Sequence, residues 1–157
     1  MKGSRLLFFA SWIILLLVVA AVALLSLQSL RIAYMGNQDS LITGFTLDQI
    51  REHGGEDAVK AFKGRRATAA TWALGYALLA LPVILGPYRR GERWAWWALL
   101  VSLGVSQLLS ILRVPMLDTA LGAGAPRIVL AIALIGLLAG APQFFRRPAA
   151  AIDDDLR

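Results

Sequence analysis

The chain has no cysteine and a single histidine, His53, in 157 residues. The first absence excludes disulfides, iron–sulfur clusters, thiol redox chemistry and cysteine metal sites. The second excludes bis-histidine haem ligation within one chain. One histidine beside loop carboxylates is also a poor match to zinc, which takes four closely placed ligands, so His53 reads as a solvated residue in a turn. No Walker loop, dinucleotide fingerprint or Ser-His-Asp set is present. Acidic residues are scarce, 10 against 16 Lys and Arg. Nothing in the chain calls for a cofactor.

What the chain has is apolar length. Four runs carry no charge: 6–27, 67–87, 94–112 and 128–145. A hydrocarbon core of about 30 Å is crossed by roughly 20 helical residues. A spanning segment must satisfy its backbone internally, so each run is expected to be a helix. None shows the alternation of a barrel strand. Lys2, Arg5 and the small-residue triplet Ala21-Val22-Ala23 resemble a secretory signal, but the run outlasts a signal core of about 7–15 residues and is read as an uncleaved first helix. The expected fold is all-α: a four-helix transmembrane bundle with a short helical extracytoplasmic cap, ending in a disordered cytoplasmic tail over 148–157 with the acidic cluster Asp153 to Asp155.

Orientation follows from the basic residues of short loops. Lys2 and Arg5, then Arg89, Arg90 and Arg93, then Arg146 and Arg147 fall on one side. Arg31, Lys60, Lys63, Arg65, Arg66, Arg113 and Arg127 fall on the other, mostly in a long segment, where the rule is weaker. Both termini are therefore placed in the cytoplasm. Phe8, Phe9, Trp12, Tyr88, Trp94, Trp96, Trp97, Phe144 and Phe145 gather toward that same side, as an aromatic belt would. The net charge of +6 is the basic decoration of a membrane protein facing anionic lipid, and does not call for nucleic acid.

Small residues recur four apart, and so share a helix face: Ala69, Ala73 and Ala77; then Ala98, Ser102, Ser106 and Ser110; then Gly136 and Gly140. Such faces let helix backbones approach. The glycine pair suits internal packing or homodimerisation. Pro82 is expected to kink the second helix, and Pro142 to bend or end the fourth. Gln107 is the one strongly polar side chain deep in a run, placed to bond toward Thr68 or Thr71. Arg113 and Asp118 flank Pro115 at the outer end of the third helix. Gln107, Arg113 and Asp118 form the candidate polar site.

The segment 30–66 is read as the outer loop. Thr46-Leu47-Asp48-Gln49 matches a capping box, so a short helix is expected from Leu47, broken at Gly54-Gly55. A second is expected over 56–63 with Ala58, Val59 and Phe62 on an apolar stripe, broken at Gly64.

The stretch Tyr88-Arg89-Arg90-Gly91-Glu92-Arg93-Trp94-Ala95-Trp96-Trp97, between two apolar helices, resembles the central turn of small uncharacterised bacterial four-helix membrane proteins, loosely DoxX-like. The resemblance covers a third to a half of the chain, and the long first loop departs from that compact pattern. It implies a four-helix architecture in a bacterial or archaeal inner membrane, and no activity. Taken with the residues, the expectation is a non-enzymatic accessory or structural subunit. It would sit in the lipid bilayer and act on a protein partner or as a homo-oligomer. Two other readings stand beside it: a carrier of a small hydrophobic molecule or lipid using the polar site, and a membrane enzyme using Asp118 and loop carboxylates.

Overall fold

The computed structural model describes residues 2–37, 41–42, 44–117 and 124–145. Helix α1 is Lys2–Met35 and α2 is Leu47–Val83, with strands β1 (Leu41–Ile42) and β2 (Phe45–Thr46) between them. A π-turn, Ile84–Tyr88, follows α2. Helices α3 (Arg93–Leu117) and α4 (Gly124–Phe145) complete the chain. All four helices are long and apolar enough to cross a membrane.

Each helix outruns its apolar sequence run, and the extra length is unequal. At 1.5 Å per residue, the 34 residues of α1 extend about 51 Å, against about 33 Å for the 22 of α4. The surplus of α1 pairs with the N-terminal part of α2 as a helical arm. Much of the expected loop is therefore helix. The connection runs only from residue 36 to 46, and contains a small hairpin that the sequence reading missed. Leu41 pairs with Thr46 and Ile42 with Phe45, and Gly44 takes the left-handed φ of 89° that so tight a reversal needs.

The start of α2 follows the capping-box expectation. Gln49 N–H donates to Thr46 Oγ1, and Thr46 N–H donates to Gln49 Oε1. Gly55, at φ 72°, ψ −175°, breaks the helical path. Arg51 spans this break, bonded to Glu56 beyond it and Asp48 before it. Gly64 does not break the helix, contrary to expectation. A glycine inside a helix costs about 1 kcal/mol relative to alanine, which the packed residues on either side outweigh, and the Gly64 carbonyl also accepts from Thr68 Oγ1. The arm has its own small core: Leu47, Ile50 and Val59, with Ile32 of α1 and Ala58 against them. Lys63 Nζ donates to the Gly36 carbonyl, and Arg66 Nε to Ser29 Oγ. Lys63 thus brings a cation to the C-terminal end of α1, whose own last turn has no basic residue.

Within α2 only Gly55 has a backbone geometry that other residues resist. Its φ of 72° with ψ of −175° falls in a region essentially confined to glycine, so Gly55→Ala is expected to cost about 1–3 kcal/mol, felt in the arm alone. Hydrogen exchange of the amides over 48–53 should speed up while those of α3 stay unchanged. Equal protection in the variant would contradict this account of the kink.

α1 packs on both α2 and α4, and α3 packs on α4. α2 and α3, though consecutive, make no extended contact beyond their hairpin. The main core sits toward that hairpin, built from Leu15, Val19, Ala77, Ile84, Tyr88, Trp96, Leu99, Leu103, Leu137 and Phe144 among others. Farther along, burial stops: no described residue of α3 from 104 to 116, nor of α4 from 124 to 132, is buried. α3 and α4 are thus packed toward the α2–α3 hairpin and exposed in their other halves, while α1 and α2 stay paired in the arm.

The buried face of α3 differs from the small-residue stripe read in the sequence. Ala95, Trp96, Leu99 and Leu103 face the core. Ala98 and Ser106 are exposed, and Ser102 and Ser110 half-buried. The larger side chains win because they fill the gap against α4 and make more dispersion contacts. Of the second stripe, Ala77 is buried, Ala73 half-buried and Ala69 exposed. Backbone angles at Pro82 and Pro142 stay helical, and α4 runs through Pro142 to Phe145. The end of α2 passes into the π-turn containing Pro87, whose missing N–H removes a donor from the helix ladder.

Candidate functional site

Three places concentrate side chains other than aliphatic ones: the hairpin end, the polar strip of α3 and the arm.

At the hairpin end, Ser11 and Tyr88 are fully buried and share a hydrogen bond of 2.5 Å between hydroxyls. Gly140 lies against both. A Cβ there would fall 2.4 Å from the Tyr88 hydroxyl oxygen and 2.5 Å from Ser11 Oγ. Gly136, one turn earlier, faces Ile14 and Leu15. The glycine pair therefore faces α1 and the π-turn inside the bundle. Around this knot Tyr88 stacks on Phe8 and meets Phe144. The Trp12 indole N–H donates to the Ile84 carbonyl, and that of Trp96 to the Leu137 carbonyl. Arg93 Nε donates to the Phe144 carbonyl, near the end of α4. Glu92 accepts from Arg90 Nε and from the Trp94 indole, and Arg89 lies over the Trp12 ring at 5.4 Å.

This arrangement amends the aromatic-belt reading. The aromatics do gather at one end, but Tyr88, Trp96 and Phe144 are buried in the core, and Phe8 and Trp12 are half-buried. Phe9, Trp94, Trp97 and Phe145 point outward. An aromatic ring with one polar atom suits a helix junction as well as a headgroup layer, because its N–H or O–H reaches a carbonyl while the ring fills volume. The knot has no free reactive group. Among the described residues, no buried side-chain nitrogen or oxygen lacks a partner.

The polar strip does not assemble as one site. Gln107 is half-buried, and its Nε2 makes one long contact, 3.4 Å, to Ser106 Oγ in its own helix. Thr68 and Thr71, its expected partners, donate to carbonyls of α2 instead. Ser102 is the stripe residue that reaches another helix, pairing with Tyr76 of α2 at 2.9 Å. Arg113 is exposed at the end of α3. Asp118, like Arg146, Arg147 and the tail, lies outside the described residues.

No protein-family model, curated protein or solved structure matches this chain. Its chemistry must be read from its own surfaces.

The third place is the arm. Phe45, Gln49, Ile50, His53, Gly54, Ala58 and Phe62 line an open groove of about 370 Å³ with almost wholly apolar walls. The two phenylalanines are 55% and 41% exposed, although they lie in the most polar part of the chain. His53 sits in the last turn of the short helix, not in a loop, and its Nδ1 pairs with the Gln49 carbonyl. Among the described residues no group of three His, Asp or Glu side chains could hold a metal ion. The sequence marked Phe45 and Phe62 as apolar. It did not show that they line one groove across the Gly55 kink.

Proposed function

We propose that this chain is a multi-pass membrane protein of the inner membrane with both termini in the cytoplasm. We further propose that it acts without catalysis, as an accessory subunit that holds a protein partner through its outer arm. The single observation that carries this is the arm groove. Large apolar side chains are exposed there, on a segment that has its own small core and lies beyond the main one. Exposed apolar area rimmed by polar residues marks an interaction site more often than chance. The knot at the hairpin end supports the same reading, since its polar atoms are used up in joining helices.

Native mass spectrometry after mild extraction tests this. A protein partner at fixed stoichiometry is expected with the wild type, and its loss is expected when Phe45→Glu and Phe62→Glu are combined, with helicity unchanged. Retention of the partner by the double variant would remove the groove from the interface. Extraction of the wild type alone, across several mild detergents, would remove the accessory role.

A further inference from the structure

We propose that the hairpin end of the bundle holds an anionic phospholipid, with its phosphodiester on Arg89 and its chains against Leu6, Phe9 and Leu85. This rests on the membrane placement proposed above and goes beyond the partner reading.

The three arginines of the hairpin are held in different ways. Arg90 Nε donates to Glu92, and Arg93 Nε donates to the Phe144 carbonyl. Arg89, at the exposed rim of the knot, instead lies over the Trp12 ring, with Cζ 5.4 Å from its centroid. Among the described residues no oxygen accepts from the Arg89 guanidinium. Glu92, the one described carboxylate at this end, is already taken. One of its oxygens accepts from Arg90 and the other from the Trp94 indole. An aromatic face attracts a cation, but it leaves the N–H donors around the guanidinium edge without acceptors.

The platform under Arg89 is fixed. The Trp12 indole N–H donates to the Ile84 carbonyl, and the Phe9 ring packs on Trp12 at 5.8 Å. A guanidinium stacked on a held ring loses little further freedom when its planar fork meets a phosphate, and that fork matches two phosphate oxygens at once. Arg5 adds to the local charge. It is exposed, on the same face of α1 as Trp12 and two turns earlier, about 10 Å along the axis. α1 also begins at this end with no acidic residue in its first turn, so its positive helix end adds to the same field.

The surroundings of the charge select the occupant. Arg5 directly precedes the apolar run 6–27, and Arg89 follows the run 67–87 by two residues. Both therefore stand where hydrocarbon gives way to headgroups. Leu6, Phe9 and Leu85 are exposed beside them. Leu85 is four residues before Arg89, and Phe9 three before Trp12, so both flank the stacked pair. A free phosphate would leave these apolar side chains bare. A zwitterionic headgroup brings its own cation to its phosphate. A lipid whose phosphodiester is its only charge satisfies the guanidinium and covers the apolar side chains together.

The test places the full chain in vesicles of phosphatidylglycerol and phosphatidylcholine in equal parts, and identifies the lipids that stay with it by native mass spectrometry. The wild type is expected to retain phosphatidylglycerol in preference to phosphatidylcholine. Arg89→Gln should cut that preference about fivefold with unchanged helicity, because Arg89 bonds to no protein oxygen. Arg90→Gln removes the same charge one residue away and should leave the preference nearly unchanged. Arg89→Lys keeps the charge without the fork and should fall between the wild type and Arg89→Gln. Equal losses from Arg89→Gln and Arg90→Gln would reduce the site to a diffuse surface field and overturn it. Full preference in Arg89→Lys would show that charge alone binds, and would overturn the stacked fork. Displacement of the lipid by soluble glycerophosphoglycerol would make the ligand a free phosphodiester and overturn the lipid. Failure of the wild type to float with vesicles of phosphatidylcholine alone would remove the membrane placement itself, and the site with it. None of these results depends on the arm groove.

Discussion

Gly140→Ala should be among the most damaging single-methyl changes in this protein. The added Cβ would sit 2.4 Å from the Tyr88 hydroxyl and 2.5 Å from Ser11 Oγ, inside contact distance of two fully buried groups bonded to each other. Neither can turn outward. To admit the methyl, α4 must move off α1 or the hydrogen bond must break. Overpacking of this kind costs about 1–3 kcal/mol, and loss of a buried hydrogen bond adds roughly 1 kcal/mol. Unfolding in mixed detergent and lipid, followed by circular dichroism, should show the loss. Gly136→Ala should cost less, because its tightest neighbour, the branch methyl Cγ2 of Ile14, is 3.0 Å away, so a shift of a few tenths of an ångström admits the added carbon. The mechanism has its own check. In a Ser11→Ala, Tyr88→Phe background both clashing oxygens are gone, and the penalty of Gly140→Ala should fall by more than half. A penalty that stays the same would mean that the glycine serves something other than closeness to these hydroxyls.

Trp96→Ala should produce a loss of similar size by the opposite route, an unfilled space. Trp96 is buried, meets Trp97 and Phe145 edge-on at 4.9 and 5.1 Å, and donates its indole N–H to the Leu137 carbonyl. It is the largest buried side chain joining α3 to α4, and α3 has no other extended helix partner. Removing a buried tryptophan costs about 3–5 kcal/mol in water-soluble proteins. In a bilayer the lower end of that range applies, since lipid solvates apolar surface nearly as well as the protein core does, and what is lost is packing. Trp96→Phe separates the two contributions. It keeps most of the ring volume and removes the donor, and should cost about 1 kcal/mol. Hydrogen exchange along α3 should rise sharply for alanine and slightly for phenylalanine. Equal, small effects from both would show that α3 is held elsewhere.

The four helices were legible in the sequence because helix formation in an apolar run is a local matter. A run of about 20 uncharged residues can satisfy its own backbone, whatever surrounds it. The capping box at Thr46 and the break at Gly55 were legible for the same reason, since each depends on residues a few positions apart. Gly64 was misread because its local cost is small enough for packing to override. Helix ends were read short at Met35 and Leu117, where polar residues continue a helix once another helix lies alongside or the ladder is already formed.

The sequence by itself determined how many helices there are, roughly where they lie, and that the core holds few reactive groups. Tertiary structure decided which faces meet. The stripe of Ala98 and Ser106 and the stripe of Leu99 and Leu103 are both regular at helical spacing, and only docking against α4 selects the second. It also turned Tyr88 and Trp96 inward and joined Ser11 to Tyr88 across 77 positions. Spacing along one helix defines its faces. It carries no information about the depth, tilt or distance of the neighbour, and those set whether a face is buried, bonded or left open.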